Sequence, residues 1–108
     1  MTTAPEALTG GATPRQSRDD LCDVPYRAPS GELATRVAAL MADVLGVDRV
    51  GLDDSFYDFG GTSLQAMRLC VRLQKETGHA PTPVDILEHD VLADLVELLT
   101  AHGDGGRD

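Results

Sequence analysis

The chain has 108 residues, enough for one small domain, and its 18 acidic residues outweigh 9 basic ones to leave a net charge of −9. That balance argues against a nucleic-acid partner, whose phosphates demand a basic surface, and favours basic protein partners drawn in electrostatically. No apolar run is long enough to span a bilayer, and the start lacks a secretory signal's basic and apolar regions, so a cytoplasmic protein is expected.

Residues 1–29 mix Thr, Ala, Gly, Pro, Ser and charges without a sustained period and read as a mobile, disordered arm. Within it only Leu21, Val24 and Tyr26 offer surfaces that could dock. Cys22 lies in this arm and Cys70 on a predicted core stripe, so neither a disulfide nor a metal motif is expected of the pair. Pro29-Ser30-Gly31-Glu32 predicts a helix start, with Ser30 as the cap and Glu32 in the first turn. Leu33, Val37, Leu40 and Val44 then recur at helical spacing, Met41 widens the stripe, and Gly46 ends the helix.

A long connection follows from Val47 to Tyr57, with Val50, Leu52 and Phe56 placed as apolar pins among Asp48, Asp53 and Asp54. These aspartates do not match the spacing of a calcium loop, and Asp53 or Asp54 is expected to cap a short turn. Asp58-Phe59-Gly60-Gly61-Thr62-Ser63-Leu64 then turns loop into helix, Leu64 through Thr77 run without interruption, and Gly78 is the stop. Ser63 therefore stands at a helix N-terminus, where free N–H groups and the positive end of the macrodipole favour an anion.

At about 100° per residue, Ala66, Leu69, Cys70 and Leu73 form a core stripe. Leu64, Met67 and Val71 form a second apolar strip on the side of Ser63, edged by Arg68, Arg72 and Lys75. Two stripes suit either a helix buried on both sides or an apolar surface kept for partners. Beyond Gly78, His79-Ala80-Pro81-Thr82-Pro83 interrupts the helix, a brief helical segment spans Val84 to Glu88, and Asp90 is placed to cap a last helix carrying Leu92, Leu95, Val96 and Leu99. Residues 102–108 read as a disordered polar tail. The expected fold is all-α: a small four-helix bundle of three main helices and one short one, with a long loop between helices one and two.

Two functions suit Ser63. It is either a modified residue or merely an N-cap in a helical interaction module whose apolar strip binds a partner. A hydrolase is disfavoured, because Gly61-Thr62-Ser63-Leu64-Gln65 lacks the second glycine of a nucleophile elbow, and His79, His89 and His102 flank short elements or lie in the tail. A phosphate loop is disfavoured because no lysine precedes Thr62-Ser63. The serine reads as a group acted upon, with no catalytic residue of its own and no metal.

The run Asp54-Ser55-Phe56-Tyr57-Asp58-Phe59-Gly60-Gly61-Thr62-Ser63-Leu64 resembles the carrier proteins of modular biosynthesis, in the peptidyl carrier (thiolation) form. The likeness extends from about Ser30 to Leu99, through Leu45-Gly46 and Ile86-Leu87-Glu88-His89. Phe59 stands where leucine is usual, and Asp90-Val91 replaces a common Pro-Thr. The resemblance implies a carrier domain over residues 30–101 that is no enzyme itself, with 4′-phosphopantetheine from coenzyme A on Ser63 and Gly60, Gly61, Thr62 and Leu64 around it. It also implies partners: a phosphopantetheinyl transferase, an adenylation enzyme, and condensation or tailoring enzymes, meeting the carrier at Leu64, Met67, Arg68, Val71 and Ile86. The carrier is expected to be free-standing and monomeric, bearing an aminoacyl or acyl thioester in a nonribosomal peptide or hybrid natural-product pathway.

Overall fold

The computed structural model describes residues 15–107, with side chains as far as Ala101. Expectations for residues 1–14, for Asp108 and for side chains beyond Ala101 lie outside these residues. The elements are α1 (Arg18–Leu21), α2 (Glu32–Leu45), a 3-10 turn (Phe56–Phe59), α3 (Ser63–Thr77), α4 (Pro83–Glu88) and α5 (Leu92–Arg107). This is the helical bundle expected, with the long connection between α2 and α3. It also contains a short α1 that the sequence did not announce, and α5 continues through residues read as a polar tail.

The amphipathic stripes account for the core. Val37, Leu40, Met41 and Leu45 of α2 face Ala66, Leu69 and Leu73 of α3 and Leu92, Leu95 and Leu99 of α5. Val47, Val50 and Phe56 pin the long connection into that core. Gly46 and Gly78 close α2 and α3 in the left-handed region, at φ 76° and 83°, and return their N–H groups to Ala42 and Gln74.

Two helix starts differ from expectation. Gly31, at φ 89°, occupies the cap of α2 and makes no side-chain cap, which leaves Ser30 one position too early. Asp90 does not cap α5 either. Its carbonyl accepts from the Phe56 N–H at 2.7 Å, and its carboxylate accepts from the Ser55 hydroxyl. The start of α5 is satisfied by the connection instead, since the Leu92 and Ala93 N–H groups donate to the Asp54 and Leu52 carbonyls at 3.0 and 2.9 Å.

Residues 15–29 are no free arm. The Gln16 N–H donates to the Gly46 carbonyl, the Asp48 N–H donates to the Gln16 carbonyl, and the Leu52 N–H donates to the Arg27 carbonyl, tying this strap across the connection. Leu21 and Val24 pack on the core, and Cys22, placed by sequence in a tail, is buried. Tyr26 lies beneath the Arg49 guanidinium at 3.9 Å. The strap's anchor is Arg18, only 2% exposed, which grips the fully buried Asp54 through Nε at 2.7 Å and a terminal nitrogen at 2.6 Å. Asp54 also accepts from the Gly51 N–H at 2.8 Å, so it closes the short turn expected of it.

Burial pushes the Asp54 carboxyl up, but the Arg18 hydrogen bonds, the Gly51 N–H and the Arg18 charge outweigh this and hold it below the ordinary carboxylate range. Its contribution to stability is thus complete above the unfolded value of about 3.9 and is lost as pH falls through the lower folded value. Asp54→Asn strands the buried guanidinium and is expected to cost about 3–5 kcal/mol at neutral pH, with the acid dependence of unfolding reduced. Urea unfolding followed by circular dichroism at pH 7 and pH 3 measures both; wild-type stability in the variant would contradict the assignment.

Candidate functional site

The serine is delivered by a chain of contacts that begins at Phe56. Ser55 caps the 3-10 turn by accepting from the Tyr57 N–H, and Gly60, at φ 77°, ends it with its N–H returned to the Phe56 and Tyr57 carbonyls. The Gly61 N–H donates to the Phe56 carbonyl at 3.1 Å. A Cβ on Gly61 would fall 2.3 Å from two carbons of the Phe56 ring, so only glycine lets the backbone lie flat on this buried aromatic. Phe59, the departure from the usual leucine, is buried in the same core.

Thr62, not Ser63, is the N-cap of α3. Its hydroxyl accepts from the Gln65 N–H at 3.3 Å, and the Gln65 side-chain oxygen accepts from the Thr62 N–H at 3.1 Å, a reciprocal capping box. Ser63 is the first helical residue and is exposed, and among the described residues its hydroxyl has no hydrogen-bond partner. The N–H groups of Ser63 and Leu64 likewise find no protein acceptor among the described residues. No acid occupies the first turn of α3, so the positive end of its dipole is uncompensated there. An exposed hydroxyl beside two open donors fits a covalently attached phosphodiester.

Around Ser63 the second strip of α3 faces outward. Leu64, Met67 and Val71 are 56%, 52% and 63% exposed. Tyr57 and Val84 add exposed apolar surface from the 3-10 turn and α4. Arg68 is exposed and makes no ion pair among the described residues, whereas Arg72 is held by Asp43 at 2.8 Å and Glu76 at 3.3 Å. Ile86 does not belong to this surface: it is fully buried in the core. The box in which Thr82 and Asp85 cap each other sets the phase of α4, turning Ile86 inward and Val84 outward. That Thr82-Pro83-Val84-Asp85 signature was the sequence signal for Val84, and a six-residue helix has too few apolar positions for periodicity to show it. His89 is engaged through Nδ1 with the Asp85 carbonyl at 3.0 Å, and neither it nor His79 is hydrogen-bonded to Ser63.

The family model described as "Phosphopantetheine attachment site" matches residues 35–99, which include the whole of this arrangement. The chain belongs to this family. It is a non-catalytic carrier whose cofactor is 4′-phosphopantetheine, of the type used in nonribosomal peptide synthesis. The carrier is similar to part of the isonitrile lipopeptide synthase of Mycobacterium tuberculosis, 48% identical over 64 residues, covering 59% of this chain and 2% of that protein. It therefore spans a very small share of that curated relative. A solved non-ribosomal PCP domain is 35% identical with a TM-score of 0.62, covering 67% of this chain and 92% of that one. The structure of McyG A-PCP complexed with phenylalanyl-adenylate is 27% identical with a TM-score of 0.63, covering 68% of this chain and 12% of that one.

The division between cap and hydroxyl is measurable. Thr62→Ala is expected to cost about 1 kcal/mol of stability, whereas Ser63→Ala should change it by less than about 0.5 kcal/mol. Urea midpoints of the two variants give the comparison, and the reverse order would return the capping role to Ser63.

Proposed function

We propose that the Ser63 hydroxyl carries the 4′-phosphopantetheine arm and that the carrier presents an aminoacyl or acyl thioester to enzymes of a nonribosomal peptide or hybrid natural-product pathway. The observation that supports it is the exposed Ser63 hydroxyl, relieved of capping by Thr62, inside the matched family region. When bound, the arm supplies a thiol that holds the acyl group as a thioester. The chain's own residues orient it. Gly60 and Gly61 hold the approach to α3 flat against Phe56, Thr62 fixes the first turn, and the open Ser63 and Leu64 N–H groups would be the donors available to the phosphodiester.

Leu64, Met67, Arg68 and Val71, with Val84 in place of Ile86, form the surface that a phosphopantetheinyl transferase, an adenylation enzyme and condensation or tailoring enzymes would meet in turn. Similarity to a protein that joins an adenylation and a carrier unit supports the second of these partners. The carrier acts as a monomer, and coenzyme A as donor puts its loading in the cytoplasm. Each contact is small and short-lived, because a shuttle bound tightly to one enzyme cannot reach the next.

Incubation with coenzyme A and a promiscuous transferase should add one phosphopantetheine to the intact mass of the wild type and none to Ser63→Ala. Addition to Ser63→Ala, or none to the wild type, would overturn the assignment. Met67→Asp should leave the melting temperature within a few degrees and slow loading by about tenfold, the loss expected of a central apolar contact. Unchanged loading kinetics would remove Met67 from the interface.

A further inference from the structure

The sequence places the carrier domain at residues 30–101, yet the polar contact buried most deeply in the fold crosses that boundary. Arg18 and Asp54 lie 36 residues apart in the chain and form a two-pronged hydrogen-bonded pair that is nearly inaccessible to solvent. Arg18 also donates to the Val24 carbonyl and to Asp19, which folds the strap around its own side chain. Cys22 Sγ closes the remaining side at 3.7 Å from Asp54.

Asp54 is two residues from Phe56, and the backbone between them is held from both directions. The Asp54 N–H donates to the Gly51 carbonyl at 3.1 Å, the Asp54 carbonyl accepts from the Leu92 N–H at 3.0 Å, and the Phe56 N–H donates to Asp90. Phe56 in turn receives the Gly61 N–H and supports its backbone. The contact path therefore runs from Arg18 through Asp54 and Phe56 to Gly61, Thr62 and Ser63. We infer that Arg18 is a positioning residue for Ser63, and that the unit needed to present the serine begins in the strap at residues 15–29 rather than at Ser30.

The physical reason is the asymmetry of buried charge. A carboxylate sealed in the core without its guanidinium must draw in water, protonate or move, and each of these displaces the turn that carries Phe56. A displacement on the order of 1 Å at an attacking oxygen is enough to lower a transfer rate by about 100-fold. Loss of the strap would thus reach Ser63 without touching it.

The test uses the full chain with Arg18→Met, which keeps an aliphatic stem and removes the charge, and Arg18→Lys, which restores charge without the fork. Amide hydrogen exchange is read at Gly60 and Gly61, whose N–H groups close the turn, and at Met41, Leu69 and Leu95 as core references. Arg18→Met should speed exchange at Gly60 and Gly61 by about tenfold or more beyond whatever acceleration the lost pair brings to the core references, and Arg18→Lys should recover part of the loss. Phosphopantetheine transfer from coenzyme A should fall in kcat/KM by about tenfold in Arg18→Met, with circular dichroism confirming the fold.

Should Arg18→Met fail to fold, Arg18→Lys carries the test, and its turn should still exchange faster than in the wild type because the two-pronged grip on Asp54 is lost. Wild-type exchange at Gly60 and Gly61 in either folded variant would overturn the inference, as would acceleration shared equally by the core references. The transfer readout rests on Ser63 being the attachment site, but the exchange readout does not. A wild type that accepts no phosphopantetheine would sink that assignment and leave the exchange result standing.

Discussion

One carboxylate, Asp54, sits where three parts of this small protein meet. It receives the strap through Arg18, the connection through Gly51 and, by its carbonyl, the start of α5. A buried ion pair of this kind adds little net stability over apolar packing, because desolvating two charges costs nearly what their attraction returns. What it adds is selectivity among arrangements, since any register that separates the partners leaves a charge in the core. A chain whose longest connection has no regular structure beyond one 3-10 turn benefits from that selectivity.

From that fixed point the geometry of the serine follows by short steps. Phe56 is locked in the core, Gly61 can approach it only because it has no Cβ, and Thr62 therefore enters α3 in position to cap. Satisfying the helix start falls to Thr62 and Gln65, which leaves the next residue with a hydroxyl and open donors beside it. The same division separates the two faces of α3. Ala66, Leu69 and Leu73 hold the bundle together, while Leu64, Met67 and Val71 are left to solvent. In a chain of net charge −9, α3 carries Arg68, Arg72 and Lys75 against Glu76 alone, so the helix that would receive a phosphodiester is locally cationic.

Helix stripes, the glycine stops at Gly46 and Gly78, the pins at Val50 and Phe56, and the Gly60-to-Leu64 signature were legible because each is a local pattern with one strong physical cause. The misses were of another kind. Ser30 and Asp90 are good capping residues displaced by backbone groups: Gly31 took the first position by its positive φ, and carbonyls of the connection served α5. Ile86 reaches the expected partner surface through the resemblance alone, and a six-residue helix offers too little periodicity to correct its phase. Arg18 was invisible because its partner lies 36 residues away and the surrounding composition is that of a tail. Local chemistry announces what a residue is able to do, but not which of several able residues the tertiary fold will employ.

Ser63 bears no structural duty, so a group can be attached to it without disturbing the helix it begins. Amide chemical shifts of the unmodified and phosphopantetheine-bearing protein test this directly. The shifts should change at Ser63, Leu64 and the exposed face through Met67, with Gln65, Gly60 and Gly61 keeping their hydrogen bonds. Loss of the Thr62–Gln65 capping signature, or rearrangement of the Phe56–Phe59 turn on attachment, would contradict it.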